Sequence, residues 1–250
     1  MFHVVIPARF GSTRLPGKPL LDIAGRPMVW HTWSRAMDSG AASVTVATDD
    51  QRIVDALAGE DIDIVMTSPA HTSGTDRLAE VVSIKDWDDN VIVVNLQGDE
   101  PLMPAANVTQ VATLLADRKD AAISTLWEPL TEREEFFNPS AVKLVADAAG
   151  RALYFSRAPI PWPRDTLDDS SVAIDARRHV GLYAYRASFL RAFSAMAPSS
   201  LERLESLEQL RAIEAGEVIV VAKASVAVPA GVDTPDDLAR VRQLVEPCEW

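Results

Sequence analysis

The sequence predicts an α/β domain: a mostly parallel, Rossmann-like sheet with helices on both faces and an antiparallel insertion in the second half. Three observations predict it. In the first half, short β-branched runs alternate with segments of helical period, the pattern of successive βα units in a parallel sheet. In the second half, two strand-like runs flank a turn at "AAG" (148–150), and a proline-rich segment, "APIPWPR" (158–164), follows them. The chain has 250 residues and shows no repeat, low-complexity tract or linker, so 1–250 reads as one domain.

The elements follow in order. "HVVIPA" (3–8) is a buried first strand. The next residues, within "PARFGSTRLPGKPL" (7–20), hold two glycines and three prolines in all and form a loop. Pro27 opens the first helix, with Met28, Trp30, Trp33 and Met37 as its apolar stripe. "SVTVAT" (43–48) and "DIVMT" (63–67) are strands, and Asp49 or Asp50 caps the helix between them. Ser73 or Thr75 caps a third helix that turns Leu78, Val81 and Val82 inward. "VIVVNLQ" (91–97) is a strand, and Pro104 opens a fourth helix. After the paired strands of the insertion, the polar stretch 164–179 reads as a loop and "VGLYAYR" (180–186) as a strand. "LERLESLEQLRAIEAG" (201–216) reads as one amphipathic helix ending at Gly216. "VIVVA" (218–222) is the last strand. The last helix starts in "DTPDD", with Thr234 as N-cap, Pro235 at N1, and Asp236 and Asp237 on the helix dipole.

Composition excludes some functions. The net charge of −12 argues against a nucleic-acid backbone as partner. The single cysteine, Cys248, rules out an intramolecular disulfide and fits a cytoplasmic location. The N-terminus lacks the order of a signal peptide, and no apolar run approaches the ~20 residues of a membrane span.

Against that acidity, Arg9, Arg14 and Lys18 are grouped in the first loop, and the next carboxylate is Asp22. Open α/β sheets bind ligands outside the carboxyl ends of their strands, where this loop lies. Its N–H groups and cations suit phosphate. A solvated loop paired with the acidic surface is the alternative. It is not a P-loop: five residues separate Gly11 from Gly17, and Pro19 replaces the Mg²⁺-binding Ser or Thr.

A triphosphate meeting an anionic nucleophile needs a hard cation, and Mg²⁺ takes one or two carboxylates plus substrate oxygens. Asp99 follows an apolar strand and Gly98, so it emerges at the ligand edge; the alternative is a turn-forming Asx residue. Asp233 is the second candidate, because the last helix needs only Thr234 and the residues after it for its start. Glu100 adjoins Asp99, but neighbours on a turn diverge and do not form a glycosidase pair.

The loop "IPARFGSTRLPGKPLLDIAG" resembles the nucleotide-binding signature of the sugar-acid cytidylyltransferases, most closely those acting on 3-deoxy-manno-octulosonate (Kdo). "VATDD", "SGTDRLAEV", "VNLQGDEPL", "FNPSAVKLV", "ALYFSRAPIPW", "HVGLYAYR", "LEQLRAIEAG" and "GVDTPDDLARV" resemble that family's segments in the same order. The resemblance implies a single domain of the nucleotide-diphospho-sugar transferase type, usually a homodimer, with CTP and Kdo as substrates. It implies Arg9, Ser12, Arg14 and Lys18 at the phosphates, Ser73, Gly74 and Arg77 at the cytosine, and Asp99 and Asp233 on Mg²⁺. Lys18, Arg9, Asp99 and Asp233 are its catalytic set.

The resemblance also implies a Kdo pocket of Gln97, Arg157, His179, Tyr183, Glu208 and Gln209. Taken alone, Arg157 suits either a carboxylate or a salt bridge, and Glu208 and Gln209 suit a helix's polar side. Tyr185 shares the Tyr183 face with no role assigned. Another sugar acid, an acylneuraminate or an amino analogue of Kdo, and a non-catalytic nucleotide-binding protein are the rival readings.

Overall fold

Along the first strand, Val4 and Ile6 face one way and Val5 the other, and all three are fully buried, so both faces of the sheet are covered. The computed structural model describes residues 1–11, 15–71, 73–130, 132–165 and 174–245. Its strands are β1 (Phe2–Ala8), β2 (Asp22–Ile23), β3 (Arg26–Pro27), β4 (Ser43–Thr48), β5 (Asp63–Met66), β6 (Ile92–Asn95), β7 (Ile123–Leu130), β8 (Lys143–Ala146), β9 (Ala152–Ser156), β10 (Ala176–Arg186) and β11 (Ile219–Lys223). Its helices are α1 (Met28–Met37), α2 (Gln51–Ala56), α3 (Gly74–Ile84), α4 (Ala105–Ala116), α5 (Arg133–Phe137), α6 (Ala187–Ser194), α7 (Ser200–Glu205), α8 (Gln209–Glu214) and α9 (Pro235–Leu244).

The main sheet runs β11-β7-β10-β6-β1-β4-β5. Neighbours pair in parallel except at β10, which runs antiparallel to both β6 and β7. The β8–β9 hairpin attaches through β8 to β10, forming the antiparallel insertion. On one face Val4, Ile6, Val46 and Val94 pack with α1, α2 and α4; on the other, Val5, Ala47 and Val93 pack with α3, α6 and α8. Interleaved faces of this kind are what continuous apolar strands require. No helix among the described residues is long and apolar enough to cross a membrane.

Three local readings differ from expectation. The buried face of α1 is Met28, Val29, His31, Thr32 and Ala36, whereas Met37 is exposed and Trp30 and Trp33 only half-buried. The strand read from residue 180 begins at Ala176, because Ala176–Val180 pair with β7 and extend past the end of β6; residues 166–173 of the expected loop lie outside the described residues. The single helix read at 201–216 is two. Ser206, in the left-handed conformation (φ 51°, ψ 48°), ends α7, and Glu208 precedes α8. Tertiary bonds hold that break. Arg157 donates from Nε to the carbonyl of Glu205 (2.7 Å), and the Glu205 carboxylate accepts from Ser156 Oγ (2.6 Å).

Caps conform to the local rules. Asp50 caps α2, Ser73 caps α3, and Thr234 forms a capping box with Asp237 at α9.

Candidate functional site

The carboxyl ends of the parallel strands converge on one edge, and the chemistry-bearing side chains gather there. After β1 the chain passes Arg9, which is exposed, to Gly17, whose φ of 67° a side chain rarely adopts. A Cβ on Gly17 would also lie 3.1 Å from the Phe10 ring. This turn starts the short 3₁₀ segment Lys18–Leu20 and delivers Lys18 into the cleft.

Asp99 follows β6 in a turn that only glycine at 98 allows without displacement. A Cβ there would lie 3.0 Å from the Pro7 carbonyl oxygen. Asp233 arrives from the far end of the chain. Val232 is buried against Ile23, Met28, Leu238 and Val241, and its N–H donates to the Asp99 carbonyl (3.0 Å). The two acids therefore lie side by side. Lys18 Nζ donates to both, to Asp99 Oδ2 at 2.6 Å and to Asp233 Oδ1 at 2.9 Å. Burial opposes the charge on Lys18, but the fields and hydrogen bonds of the two acids outweigh it and its pKa is raised. Burial and the charges of Asp99 and Asp233 push Glu100 up to about 8.

Arg9, Lys18, Gln97, Asp99 and Asp233 line this cleft together. Ser12 and Arg14, expected beside them, lie outside the described residues.

Two carboxylates converging on one cationic centre are a fitting donor set for Mg²⁺. They are hard oxygen ligands, and phosphate oxygens and water complete such a shell. Among the described residues, no group of three or more His, Cys, Asp or Glu side chains forms a ready-made metal cage.

Gln97 joins this cleft to a second, aromatic pocket, whose walls include Gly74, Thr75, Asn95, Tyr183, Tyr185, Glu208 and Gln209. Tyr183 and Tyr185 stack at 5.7 Å, and burial raises both pKa values. Glu208 accepts from Thr75 Oγ1 (2.6 Å), while its Oε1 is enclosed with no hydrogen-bond donor among the described residues; burial raises its pKa, against the lowering effect of the Thr75 and Ser73 side chains. Four of the six expected sugar contacts, Gln97, Tyr183, Glu208 and Gln209, thus share one pocket.

His179 lies on the other side of Asp99 and Asp233. A two-residue bulge separates it from Tyr183, but two extra residues preserve the alternation of faces, and the rings meet at 5.1 Å. The Thr125 hydroxyl lies in that bulge, 3.0 Å from the Val180 carbonyl and 2.8 Å from that of Leu182. Its single proton goes to one of these carbonyls, so His179 Nε2, 3.0 Å away, donates to Thr125 Oγ1. The imidazole is half-buried against Phe155, Tyr183 and Thr125, and burial pushes it down to about 3, leaving it neutral.

Two expected contacts have their guanidinium groups already engaged. Arg77 is 3% exposed; it ion-pairs with Asp49 (2.7 Å) and donates to Thr67, clamping the ends of β4 and β5. Arg157 gives its fork to the carbonyls of Pro139, Glu205 and Ser206. Neighbouring Lys143, fully buried, donates to the carbonyls of Asn138, Ala141 and Arg157. Ser73 is held as the cap of α3, and Gly74 adjoins Gln97.

Sequence reasoning gave no role to Asn95 or Tyr185 and read Thr75 only as a possible cap. A polar residue ending the apolar run "VIVV" was the one available signal for Asn95.

The Cytidylyltransferase family profile matches residues 3–219. A 3-deoxy-manno-octulosonate cytidylyltransferase of Chromohalobacter salexigens is 56% identical over 245 residues, covering 97% of this chain and 95% of that protein. One from Hahella chejuensis is 53% identical, covering 98% and 97%. A solved CMP:2-keto-3-deoxy-manno-octonic acid synthetase complexed with CTP superposes with a TM-score of 0.89 at 43% identity, covering 98% of each chain. A Leptospira borgpetersenii cytidylyltransferase shares the fold at a TM-score of 0.62 and 16% identity, covering 96% of this chain and 84% of that one. With a basic loop, paired acids and an aromatic pocket on one sheet edge, and with relatives this similar over nearly their whole length, the chain belongs to the cytidylyltransferase family, among its 3-deoxy-manno-octulosonate cytidylyltransferases.

Proposed function

We propose that this protein transfers the cytidylyl group of CTP to Kdo, forming CMP-Kdo and diphosphate for lipopolysaccharide synthesis in the cytoplasm. One observation carries the reading: Lys18, Asp99 and Asp233, from three distant segments, converge within hydrogen-bond distance beside Arg9. The anomeric C2 hydroxyl oxygen of Kdo attacks the α-phosphorus. The new O–P bond forms as the bond to diphosphate breaks, and the hydroxyl proton passes to solvent.

Arg9 and Lys18 hold the phosphates and neutralise the departing diphosphate, so their contribution is positioning and electrostatic stabilisation. Asp99 and Asp233 hold Mg²⁺, which when bound supplies Lewis-acid activation of the attacking hydroxyl. Lys18 neutralises the two acids in the free protein and turns to phosphate when the nucleotide is present. Gln97, Tyr183, Glu208 and Gln209 bind and orient the sugar acid in the pocket beyond Gln97. Arg157 and Arg77 support this arrangement through the carbonyls and carboxylate they hold. The chain works as a homodimer, which sedimentation would register as about twice 27.2 kDa.

The test is diphosphate release with each component omitted in turn. Release is expected only with CTP, Kdo and Mg²⁺ together, and little with UTP or an acylneuraminate. Release without a sugar acid, or faster turnover with an acylneuraminate or 8-amino-Kdo, would overturn the assignment.

A further inference from the structure

We propose that Thr75 is a positioning residue of the sugar pocket: its hydroxyl fixes one oxygen of Glu208, so that the other faces the substrate. This rests on the reading above that Glu208 meets the sugar acid. Thr75 is the second residue of α3, is 3% exposed, and donates from Oγ1 to Glu208 Oε2 at 2.6 Å across 133 residues of sequence. A β-branched side chain on a helix has few rotamers, so the hydroxyl is held at a defined place. Glu208 is the N-cap of α8, with helical backbone (φ −60°, ψ −34°), but its side chain makes no cap bond to that helix, so the carboxylate is fixed from elsewhere.

Among the described residues, the second oxygen, Oε1, is buried with no hydrogen-bond donor; the Ser73 side chain also acts on this carboxylate but gives its proton to Asp76 Oδ2 (3.0 Å). An enclosed carboxylate oxygen left without a partner is unfavourable, so it is set to accept from a donor the ligand brings. The neighbouring groups fit a polyol. Tyr183 and Tyr185 give faces for C–H surface, and Asn95 and Gln97 give amides for hydroxyls. A sugar hydroxyl is the donor of matching chemistry.

The placement of Thr75 also joins the two substrates' halves of the site. Ser73, two residues earlier, caps α3 by accepting from the Asp76 N–H (3.1 Å), and Gly74 packs against Pro7 and Gln97. Pro7 and Gln97 line the cleft of Lys18, Asp99 and Asp233. The turn that faces the nucleotide cleft therefore carries the hydroxyl that sets the sugar-pocket carboxylate.

The test compares Thr75→Val, which keeps the shape without the hydroxyl, with Thr75→Ser, which keeps the hydroxyl. Diphosphate release gives KM for Kdo and CTP, calorimetry gives CTP affinity, and thermal melting checks the fold. Thr75→Val is expected to raise KM for Kdo by about 10- to 100-fold, the worth of a hydrogen bond to a charged group. CTP affinity should stay within about twofold, and Thr75→Ser should recover most of the loss. An unchanged KM for Kdo in Thr75→Val, equal losses for both substrates, or no recovery in Thr75→Ser would overturn the proposal. Glu208→Gln separates the two failures. If it leaves KM for Kdo unchanged, the pocket reading fails and the proposal with it. If Glu208→Gln raises KM and Thr75→Val does not, only the role of Thr75 fails.

Discussion

Lys18 holds the two acids together in the free protein, at 2.6 and 2.9 Å from their oxygens. Replacing it tests a role in the reaction more than one in stability, because Asp99 and Asp233 are substantially solvent-exposed and surface pairs contribute little to folding. Lys18→Ala is expected to lower kcat by roughly 10²-fold or more, as loss of a preorganised transition-state donor does. Full turnover at saturating CTP would remove Lys18 from the reaction.

His179 makes a separate prediction. Its pKa in the fold, about 3, lies below the ordinary 6.5, so between those values the unfolded chain holds the extra proton. The stability this group contributes is present above pH 6.5 and is lost as pH falls towards 3. Urea unfolding of His179→Gln between pH 6 and 4 should show a slope shallower by up to about 1.4 kcal/mol per pH unit. Identical slopes would mean that the imidazole takes up its proton within the fold.

Lys18, Asp99 and Asp233 were legible in sequence because each contrasts with its surroundings: a cation in an acidic chain, an acid ending an apolar strand, and an acid left over from a cap. Thr75 and Tyr185 resemble ordinary core-facing polar residues, and only the fold brings Glu208 to Thr75.

At the scale of elements, the strap Gly231–Asp233 sets the spacing of the paired acids. A Cβ on Gly231 would lie 2.8 Å from Glu100 Oε1, 2.9 Å from its Cδ and 3.1 Å from the Asp99 carbonyl oxygen. The carboxylate can move aside, but a backbone carbonyl cannot do so cheaply. Gly231→Ala should therefore stretch the Val232 N–H bond to Asp99 and draw Asp233 away. The Mg²⁺ concentration for half-maximal diphosphate release should rise about tenfold, with CTP affinity measured without metal unchanged. Overpacking of about 1–3 kcal/mol should lower Tm by about 2–10 °C. An unaltered metal requirement and melting point would show that the strap has slack.

The strands and caps were readable because apolar runs and capping residues act locally. The α7–α8 break was not, because the leucine spacing runs through it. What ends α7 at Ser206 is the grip of Arg157 and Ser156 on Glu205, partners from a distant hairpin. In α1, Trp30 and Trp33 pack only at the margin of the core, and Val29, Thr32 and Ala36 take the fully buried places.

Across the whole molecule, a net charge of −12 coexists with a cleft whose mouth carries Arg9 and Lys18. A long-range field of that sign would repel a polyanion, so binding depends on the local cations and on whatever cation the two acids hold. Sheet topology makes this possible. β1, β6 and the segment after β11 all deliver their following residues to one edge, and β10, running the other way, brings Tyr183 and His179 to it. That edge was legible as a ligand site from the alternation of strands and helices, whereas its division into clefts joined through Gln97 was not. The most direct measurement is a crystal structure with CTP and Mg²⁺ bound. The triphosphate is expected between Arg9 and Lys18, with the metal on Asp99 and Asp233; a triphosphate bound away from these four side chains would contradict the account.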